Sequence, residues 1–400
     1  MRSPGTLLVL SCAGLALLAG RGPVAGSVQL RGLMETTARE ETSAFILNEN
    51  NRGDNPYDYL RLRLFVEAAP TEELQVHTQF LYNDNYPSGY TVVGAYILYE
   101  LLDKGGLYVE AGKIPSPFGA YAARSYSDKT PFIATPLMYY YHSTLLGGQL
   151  PKSADDLLAV AGAGQHAFNK YPSGTNASAP VRHGLPILYD PCWDLGAVLL
   201  GARGTVEYRL GVLGGTPGAP VSGNDSNGAK TVIGRLGWAP RPWLRMGASA
   251  ARGSYLPESI AGQLDAGGSA EDFHQTLFGY DLEASRGRWI VRSEGVRNAY
   301  ETPYVGEDLR QTSYFVEVET RPRPGVTLAV RWDEMIYDRI TDGAGNKRRW
   351  DLSLRRVELA AVYRFTKAFS VKANHQLNSY GAGGFSLDHR ISALQLVAGF

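Results

Sequence analysis

The sequence predicts an all-β protein and, within that class, a transmembrane antiparallel β-barrel. From residue 57 onward, pairs of runs that alternate apolar and polar residues recur, and the connections between them alternate between short and long. The chain has 24 Tyr, 46 Gly and a mean hydropathy of −0.19, which is too polar for a helical membrane protein. High Tyr and Gly contents with moderate hydropathy suit strands whose two faces meet different media.

The first hairpin shows the alternation most clearly. In YLRLRLFVEA, Leu60, Leu62 and Leu64 share one face, while Arg61 and Arg63 share the other. Because successive side chains of a strand point to opposite faces, such a run has one apolar and one wet environment. In a barrel the wet face is the wall of the lumen. The basic residues predicted to lie on that wall are Arg61, Arg63, Arg209, Arg235 and Arg331.

The number of strands follows from the hairpins. Seven hairpins, with one further strand at each end of the chain, give 16 strands. A second interpretation treats PLMYYYHSTLLGG and LLAVAGAGQHAF as two more strands and gives 18. We favour 16, because the 374 residues that remain after removal of a 26-residue signal peptide are few for 18 strands and their loops. A soluble β-sandwich is the alternative fold, but its turns do not separate into short and long ones by parity.

The connections indicate an outer-membrane location. Short periplasmic turns and long extracellular loops are typical of bacterial outer-membrane barrels, and ring closure leaves no strand edge exposed to lipid. Aromatic residues near the strand ends predict contact with lipid headgroups, so outer-membrane lipid is an expected partner. These residues are Tyr82, Tyr99, Tyr208, Trp238, Trp243, Trp289, Tyr314, Trp332 and Tyr363.

The first 26 residues predict a secretory signal peptide. Arg2 provides a positive start, residues 6–20 form an apolar run, and Val24-Ala25-Gly26 offers small residues for cleavage. The predicted barrel domain is then 27–400. Cleavage removes Cys12 and leaves Cys192 as the only cysteine, so no intrachain disulfide is expected.

The chain ends within a strand pattern, at Phe400 of LQLVAGF. This ending resembles the terminal strand of outer-membrane β-barrel proteins. In that class the strand is the signal read by the barrel-assembly machinery, which the resemblance therefore implies as a partner.

Residues 113–192 interrupt the hairpin pattern and form a long third loop that is rich in Pro, Gly, Tyr and Ser. Loops of this length are functional or disordered, and the many aromatic residues favour packing. We expect the loop to fold into the barrel and narrow it. The predicted constriction residues are Lys113, Arg124, Lys129, Tyr139, Tyr140 and Tyr141. The tyrosine run could stack against sugars, but the packing core of the loop is the favoured interpretation.

The stretch VEAGKIPSPFGAYAARSYSDKTPF is similar to the strand-then-PFG segment of the phosphate-selective porins O and P and of related porin-like proteins. This resemblance implies a third loop that forms a constriction, and a homotrimer. The similar numbers of bases and acids on the wet face depart from the arginine-rich pattern of that family. The third loop itself holds six basic and four acidic residues, which indicates a mild preference for anions.

The expected function is passive diffusion of small hydrophilic solutes or anions across the outer membrane. A closed scaffold or adhesin, and a barrel that sheathes an electron-transfer partner, are the alternatives. We expect no catalytic activity, cofactor or metal. His142 and Ser143 are adjacent and would point to opposite faces of a strand, so they cannot form a dyad there. The formal net charge of zero disfavours nucleic acid as a partner.

Overall fold

The computed structural model describes residues 25–41, 55–83, 89–102, 106–162, 171, 184–189, 193–221, 228–382 and 385–400. The predicted signal peptide, apart from residues 25 and 26, lies outside the described residues, as does Cys192.

Sixteen strands form one closed antiparallel barrel. They are β1 (Ser27–Glu41), β2 (Leu60–Ala69), β3 (Leu74–Asn83), β4 (Tyr90–Glu100), β5 (Leu107–Pro115), β6 (Trp193–Arg203), β7 (Val206–Leu213), β8 (Thr231–Arg241), β9 (Leu244–Ser254), β10 (His274–Arg286), β11 (Trp289–Tyr300), β12 (Leu309–Arg323), β13 (Val326–Tyr337), β16 (Ser353–Arg364), β17 (Phe369–Ala382) and β18 (Phe385–Gly399). Two further strands, β14 (Arg339–Thr341) and β15 (Lys347–Arg349), form a separate hairpin between β13 and β16.

Each barrel strand pairs with the strands that precede and follow it around the ring, and β1 pairs with β18 to close it. The predicted count of 16 is confirmed. The alternative count of 18 is wrong, because the segment proposed for the extra strands contains two short helices instead. These are α1 (Leu137–Tyr140) and α2 (Ala154–Leu158). Pro136 stands at the start of α1, where its missing N–H costs no hydrogen bond.

The register separates the two faces of the wall as the alternation predicts. Trp332, Val357 and Leu377 lie opposite one another on β13, β16 and β17, and Trp332 and Leu377 are exposed on the outer surface. One residue earlier along β13, Arg331 is level with Glu358 and faces the interior, where both are buried. The apolar face of each strand is therefore the outer one.

Seven short turns lie at one end of the barrel, which we call the turn end. The long connections lie at the other end, the loop end, where β17 and β18 are also joined by only two residues. The loop-end connections add 3₁₀ turns at Ala122–Arg124, Glu258–Gln263 and Ala270–Asp272. No helix in the described ranges is long and apolar enough to cross a membrane.

Phe400 lies at the closure of the barrel. Its backbone exchanges two hydrogen bonds with Gly32, of 2.7 and 3.0 Å, while its side chain is 71% exposed. A Cβ at Gly32 would overlap the Phe400 ring, so this glycine leaves room for the ring on β1.

The exposed ring should matter more for assembly than for stability. We expect Phe400→Ser to reduce the amount of barrel assembled in cells severalfold, while the protein refolded in detergent unfolds within about 0.5 kcal/mol of wild type. The control is Phe365→Ser, which removes another exposed aromatic residue at the turn end. Equal losses in cells for the two variants would contradict a signal role for Phe400.

Candidate functional site: the barrel interior

The segment that follows β5 enters the barrel at once. Phe118 packs against Gly279 of β10, where a Cβ would lie 2.7 Å from the Phe118 ring. The backbone N–H of Gly119 donates to Ser249 Oγ of β9 at 3.0 Å, and the Tyr139 hydroxyl donates to Glu294 of β11. The third loop is therefore attached to the inner faces of β9, β10 and β11.

The same segment is also attached to the opposite part of the wall. Tyr126 Oη donates to Gln79 Oε1 of β3 at 2.8 Å, and Ser127 Oγ donates to Glu35 Oε1 of β1 at 2.7 Å. Farther along, Arg356 of β16 donates to the carbonyl oxygen of Thr135 at 3.0 Å. Because its contacts lie on both sides of the ring, the segment crosses the lumen and does not follow one wall.

Aromatic packing fills the loop end of the lumen. Tyr139 and Tyr141 belong to a large buried cluster with residues of several strands. The Tyr141 ring lies 6.4 Å from the ring of Tyr337, which in turn meets Trp350 edge-on at 4.6 Å. These rings pack against one another, so they offer no open face on which a solute could stack.

Every strand of the barrel has an inward-facing residue that is almost completely buried. The following residues are one example from each barrel strand, in sequence order: Glu35, Arg63, Gln79, Leu98, Glu110, Val198, Leu213, Ile233, Ala251, Leu277, Val296, Phe315, Arg331, Arg356, Gln376 and Gln395. Side chains that lined an open water-filled channel would be exposed. Together with the contacts described above, this burial indicates that the third loop occupies much of the lumen.

A cavity of about 490 Å³ remains between the inward segment and the turn-end halves of β7–β12 and β16. Eight basic and five acidic side chains line it. The basic ones are Arg124, Lys129, Arg209, Arg235, Arg245, Arg292, Arg321 and Arg364. The acidic ones are Asp128, Glu207, Asp281, Glu283 and Glu294. We call this cavity the charged vestibule.

Ion pairs fix several of these side chains. Arg235 donates to both carboxylate oxygens of Asp281, at 2.8 and 2.7 Å. Arg292 donates to Glu283 at 2.6 Å and to Glu319 at 3.1 Å. Bidentate and doubly paired guanidinium groups hold their geometry better than single surface pairs do. The vestibule therefore has a rigid charged wall with a basic excess.

Arg331 shows how the structure accommodates a charge beneath the loop. Its guanidinium group is fully buried, yet it lies within 3.4 Å of Glu317, 3.0 Å of Asp333 and 2.5 Å of Glu358. It also donates to the carbonyl oxygen of Ala134 at 2.8 Å. A buried charge is tolerated when its partners and hydrogen bonds replace the lost hydration.

The predicted lumen residues all face inward, but in different surroundings. Arg209 and Arg235 line the vestibule. Arg61 and Arg63 lie under the loop near Glu35, with Arg61 Nη1 at 3.0 Å from its carboxylate. Arg331 is enclosed as described above.

Five of the six predicted constriction residues lie inside the barrel, in two groups, and the sixth, Lys113, does not. Arg124 and Lys129 line the vestibule, and Arg124 donates to Glu317 at 2.7 Å. Tyr139, Tyr140 and Tyr141 are buried in the packed loop. Of the six basic and four acidic residues counted in the third loop, Lys170, Arg182 and Asp190 lie outside the described residues.

The position of Lys113 contradicts the prediction that it lines the constriction. It lies opposite Ala95 of β4 and Leu195 of β6, on the outer face of the wall, and its Nζ donates to the carbonyl oxygen of Val92 at 2.9 Å. The inference from the neighbouring PFG turn is wrong because β5 continues to Pro115. Strand parity, which directs Ile114 inward, therefore directs Lys113 outward.

The sequence reasoning missed how the loop is attached. Gly279 and Ser249 are small residues on inward-facing positions of neighbouring strands, and they receive Phe118 and Gly119. Small residues at positions that alternation assigns to the interior were the available signal. Within the ranges that the structure covers, no group of three or more His, Cys, Asp or Glu could hold a metal ion.

Asp351, in the connection after β15, anchors the far part of the loop. Its carboxylate accepts hydrogen bonds from the backbone N–H groups of Thr144, at 2.7 Å, and Gly162, at 2.8 Å. Burial raises the pKa of Asp351 to about 6, although these amides and that of Leu352 oppose the increase.

No family model and no curated protein sequence matches the chain. Solved structures do match. The loop L8 deletion mutant of OmpT, an outer-membrane protein of Vibrio cholerae, has a TM-score of 0.55 at 10% identity, covering 94% of this chain and 100% of that one. OmpT in its trimer form gives 0.52 at 11% identity, covering 94% and 100%. The anion-selective porin from Comamonas acidovorans gives 0.54 at 11% identity, covering 94% and 99%. The chain therefore has the 16-strand fold of outer-membrane porins.

Gly279→Val should loosen the docked loop. A valine side chain would occupy the space of Phe118 and weaken docking by about 1–3 kcal/mol, a typical cost of overpacking. We expect larger or more frequent single-channel openings in planar bilayers.

The matched control is Gly295→Val, on the neighbouring strand, where the new side chain would meet Tyr280 on the outer face. If the two variants conduct alike, Phe118 does not hold the loop against the wall.

Acidification should strengthen docking of the loop. The docked Asp351 carboxyl has a pKa of about 6, against an ordinary value of 3.8, so the docked state binds the proton more tightly. Docking therefore gains about 1 kcal/mol between pH 7 and pH 5, and loses it as the pH rises through 6.

Amide exchange of residues 137–158, corrected for the intrinsic effect of pH, measures this difference. Asp351→Asn should remove it. An unchanged pH dependence in that variant would assign the effect to another group.

Proposed function

We propose that the protein is an outer-membrane channel through which small hydrophilic solutes diffuse, with anions preferred. The observation that supports this most directly is the charged vestibule, with its eight bases and five acids, inside a closed barrel whose outer face is apolar. Pore width and lining charge decide which solutes pass through a channel of this kind.

The basic excess supports the preference for anions. A wall with more guanidinium and ammonium groups than carboxylates raises the local concentration of anions, and the low dielectric constant of the surroundings increases this effect. Lining acids pair with Arg235 and Arg292, and Glu317 and Glu319, just outside the lining, pair with Arg124 and Arg321, so the effective excess is modest. Selectivity for anions over cations should accordingly be graded and not absolute.

Passage requires the third loop to move. At the height of Arg331 and Gln376 the interior is filled, so the described arrangement is the closed state of the proposed channel. The segment between Phe118 and Thr135 meets the wall through side chains and single backbone groups and is not a strand of the barrel. It can therefore leave without breaking the ring.

The similar solved structures support the proposal at the level of fold. One of them is an anion-selective porin, and another was solved in a trimer form. We extend both features to this chain as proposals: anion preference, and a homotrimer in the bacterial outer membrane. The narrower kinship with phosphate-selective porins rests on the PFG segment, whose Phe118 and Gly119 meet the wall inside the barrel.

A closed scaffold is the second candidate, and the filled lumen is the observation that favours it. Solute leakage from liposomes separates the two, since a scaffold would leak no more than empty vesicles do. An electron-transfer sheath is not favoured, because the loop occupies the space that a partner inside the barrel would need.

Neutralising the loop charges of the vestibule tests the proposal. Arg124→Gln with Lys129→Gln lowers the lining from eight bases to six against five acids. We expect the reversal potential under a salt gradient to move most of the way towards that of a non-selective pore, because the basic excess falls from three to one.

Lys113→Gln is the matched control, since it removes a positive charge of the same segment from the outer face. A wild-type reversal potential in the double variant would show that these two residues do not set selectivity. A cation-selective wild-type channel would overturn the proposed anion preference.

A further inference from the structure

A groove of about 350 Å³ lies on the outer surface of the wall, near the loop end of β13, β16 and β17. Its lining includes Arg355 of β16 and Ser379 and Gly381 of β17, and Arg349 of the β14–β15 hairpin completes it. It lies outside the lumen and shares no residue with the charged vestibule.

The register fixes the direction in which the groove faces. Glu334 lies opposite Arg355, and Arg355 lies opposite Ser379, so the three share one face of the wall. Two residues farther from the loop end, the same face carries Trp332 and Leu377, which are 41% and 43% exposed. Two residues of a strand span about 7 Å. The groove therefore begins where the apolar belt ends, at the level of lipid headgroups.

The groove presents hydrogen-bond donors that the protein does not use. Arg355 Nε donates to Glu334 Oε1 at 2.8 Å, and no hydrogen bond within the described ranges involves its two terminal nitrogens. Arg349 uses one terminal nitrogen, which donates to the carbonyl oxygen of Tyr337. The Arg355 side chain is 65% exposed. Ser379 adds a hydroxyl group that has no hydrogen bond to any described residue.

Other outward arginines at the same end are different. Arg297 donates through both terminal nitrogens, to Thr312 and Asp338, and Arg252 does the same, to Thr276 and Glu301. The terminal nitrogens of these two guanidinium groups are therefore already hydrogen-bonded within the protein. Only at the groove do two guanidinium groups with available terminal N–H groups converge, among the outward arginines named here.

We propose that this groove binds the phosphate group of a membrane lipid. Guanidinium forks match phosphate oxygens in pairs, and Ser379 can donate a further hydrogen bond. Glu334 is the only acid in the lining, so the lining has a net positive charge. Glu334 also accepts from Tyr314 Oη at 2.5 Å, which helps to hold the carboxylate that orients Arg355.

The position of the groove favours a lipid phosphate over a free one. A headgroup held there would have its acyl chains beside Trp332 and Leu377, where apolar contact adds to the affinity. Free inorganic phosphate would have only the polar contacts. The inference requires the barrel to lie in a membrane but does not require it to conduct.

The test uses the full barrel, folded in detergent, with a bisphosphorylated glucosamine-disaccharide lipid as the probe and native mass spectrometry as the measurement. Arg349→Ala with Arg355→Ala should weaken binding at least about tenfold, since each lost charge-assisted contact contributes substantially. The matched control, Arg252→Ala with Arg297→Ala, removes the same charge from the same end and should change binding less than about threefold.

Four further measurements complete the test. The same lipid without its phosphates should bind at least about tenfold more weakly to the wild type, and inorganic phosphate should not compete at millimolar concentration. Heat-modifiable migration on gels verifies that each variant is folded. Arg349→Lys with Arg355→Lys keeps the charge but loses the forks, and it should bind with intermediate affinity.

Equal losses of lipid affinity in the two double alanine variants would overturn the proposal and indicate non-specific attraction to positive charge at the loop end. Competition by inorganic phosphate would overturn the assignment to a lipid. Conductance should be unchanged in the groove variants, so failure of this inference is distinguishable from failure of the proposed channel.

Discussion

The interior of this barrel depends on one constraint: a charged side chain that loses contact with water needs a partner. The wall directs many bases and acids inward, and the third loop covers a large share of them. Arg331, Arg356 and Glu35 are buried, but each is paired or hydrogen-bonded by a neighbouring strand or by the loop itself. Since removal of one partner would leave a buried charge unpaired, the covered network holds the loop and the wall in one arrangement.

This constraint also explains why the interior has two different environments, one packed and one open to water. Where the loop lies against the wall, the side chains are neutralised in groups and water is excluded. Where it does not, at the turn-end halves of β7–β12, the bases outnumber the acids, and several side chains, such as those of Arg209 and Arg245, remain partly exposed. The same alternation of residues along the strands therefore gives a compact polar core in one region and a charged vestibule in another. The position of the loop makes the difference.

The sequence was sufficient for the barrel because strand parity is a local property. Leu60, Arg61 and Leu62 already define the two faces, and seven hairpins with two terminal strands define the ring of 16. The site was less predictable, because it depends on contacts between residues distant in sequence. Nothing near Phe118 indicates Gly279, and nothing near Thr144 indicates Asp351. Lys113 was misplaced because a nearby turn was given more weight than the parity of a strand that had not yet ended.

The attachment of the loop to both ends of the chain has a consequence for the order of folding. Ser127 binds Glu35 on the first strand, and Thr135 binds Arg356 on β16, the fourteenth barrel strand, more than 200 residues later. A surface that comprises both does not exist until the last strands have joined the first. The loop therefore cannot make its full set of contacts while the wall grows, and its docking is completed only in a finished ring. A docked third loop thus reports that the cylinder around it is complete.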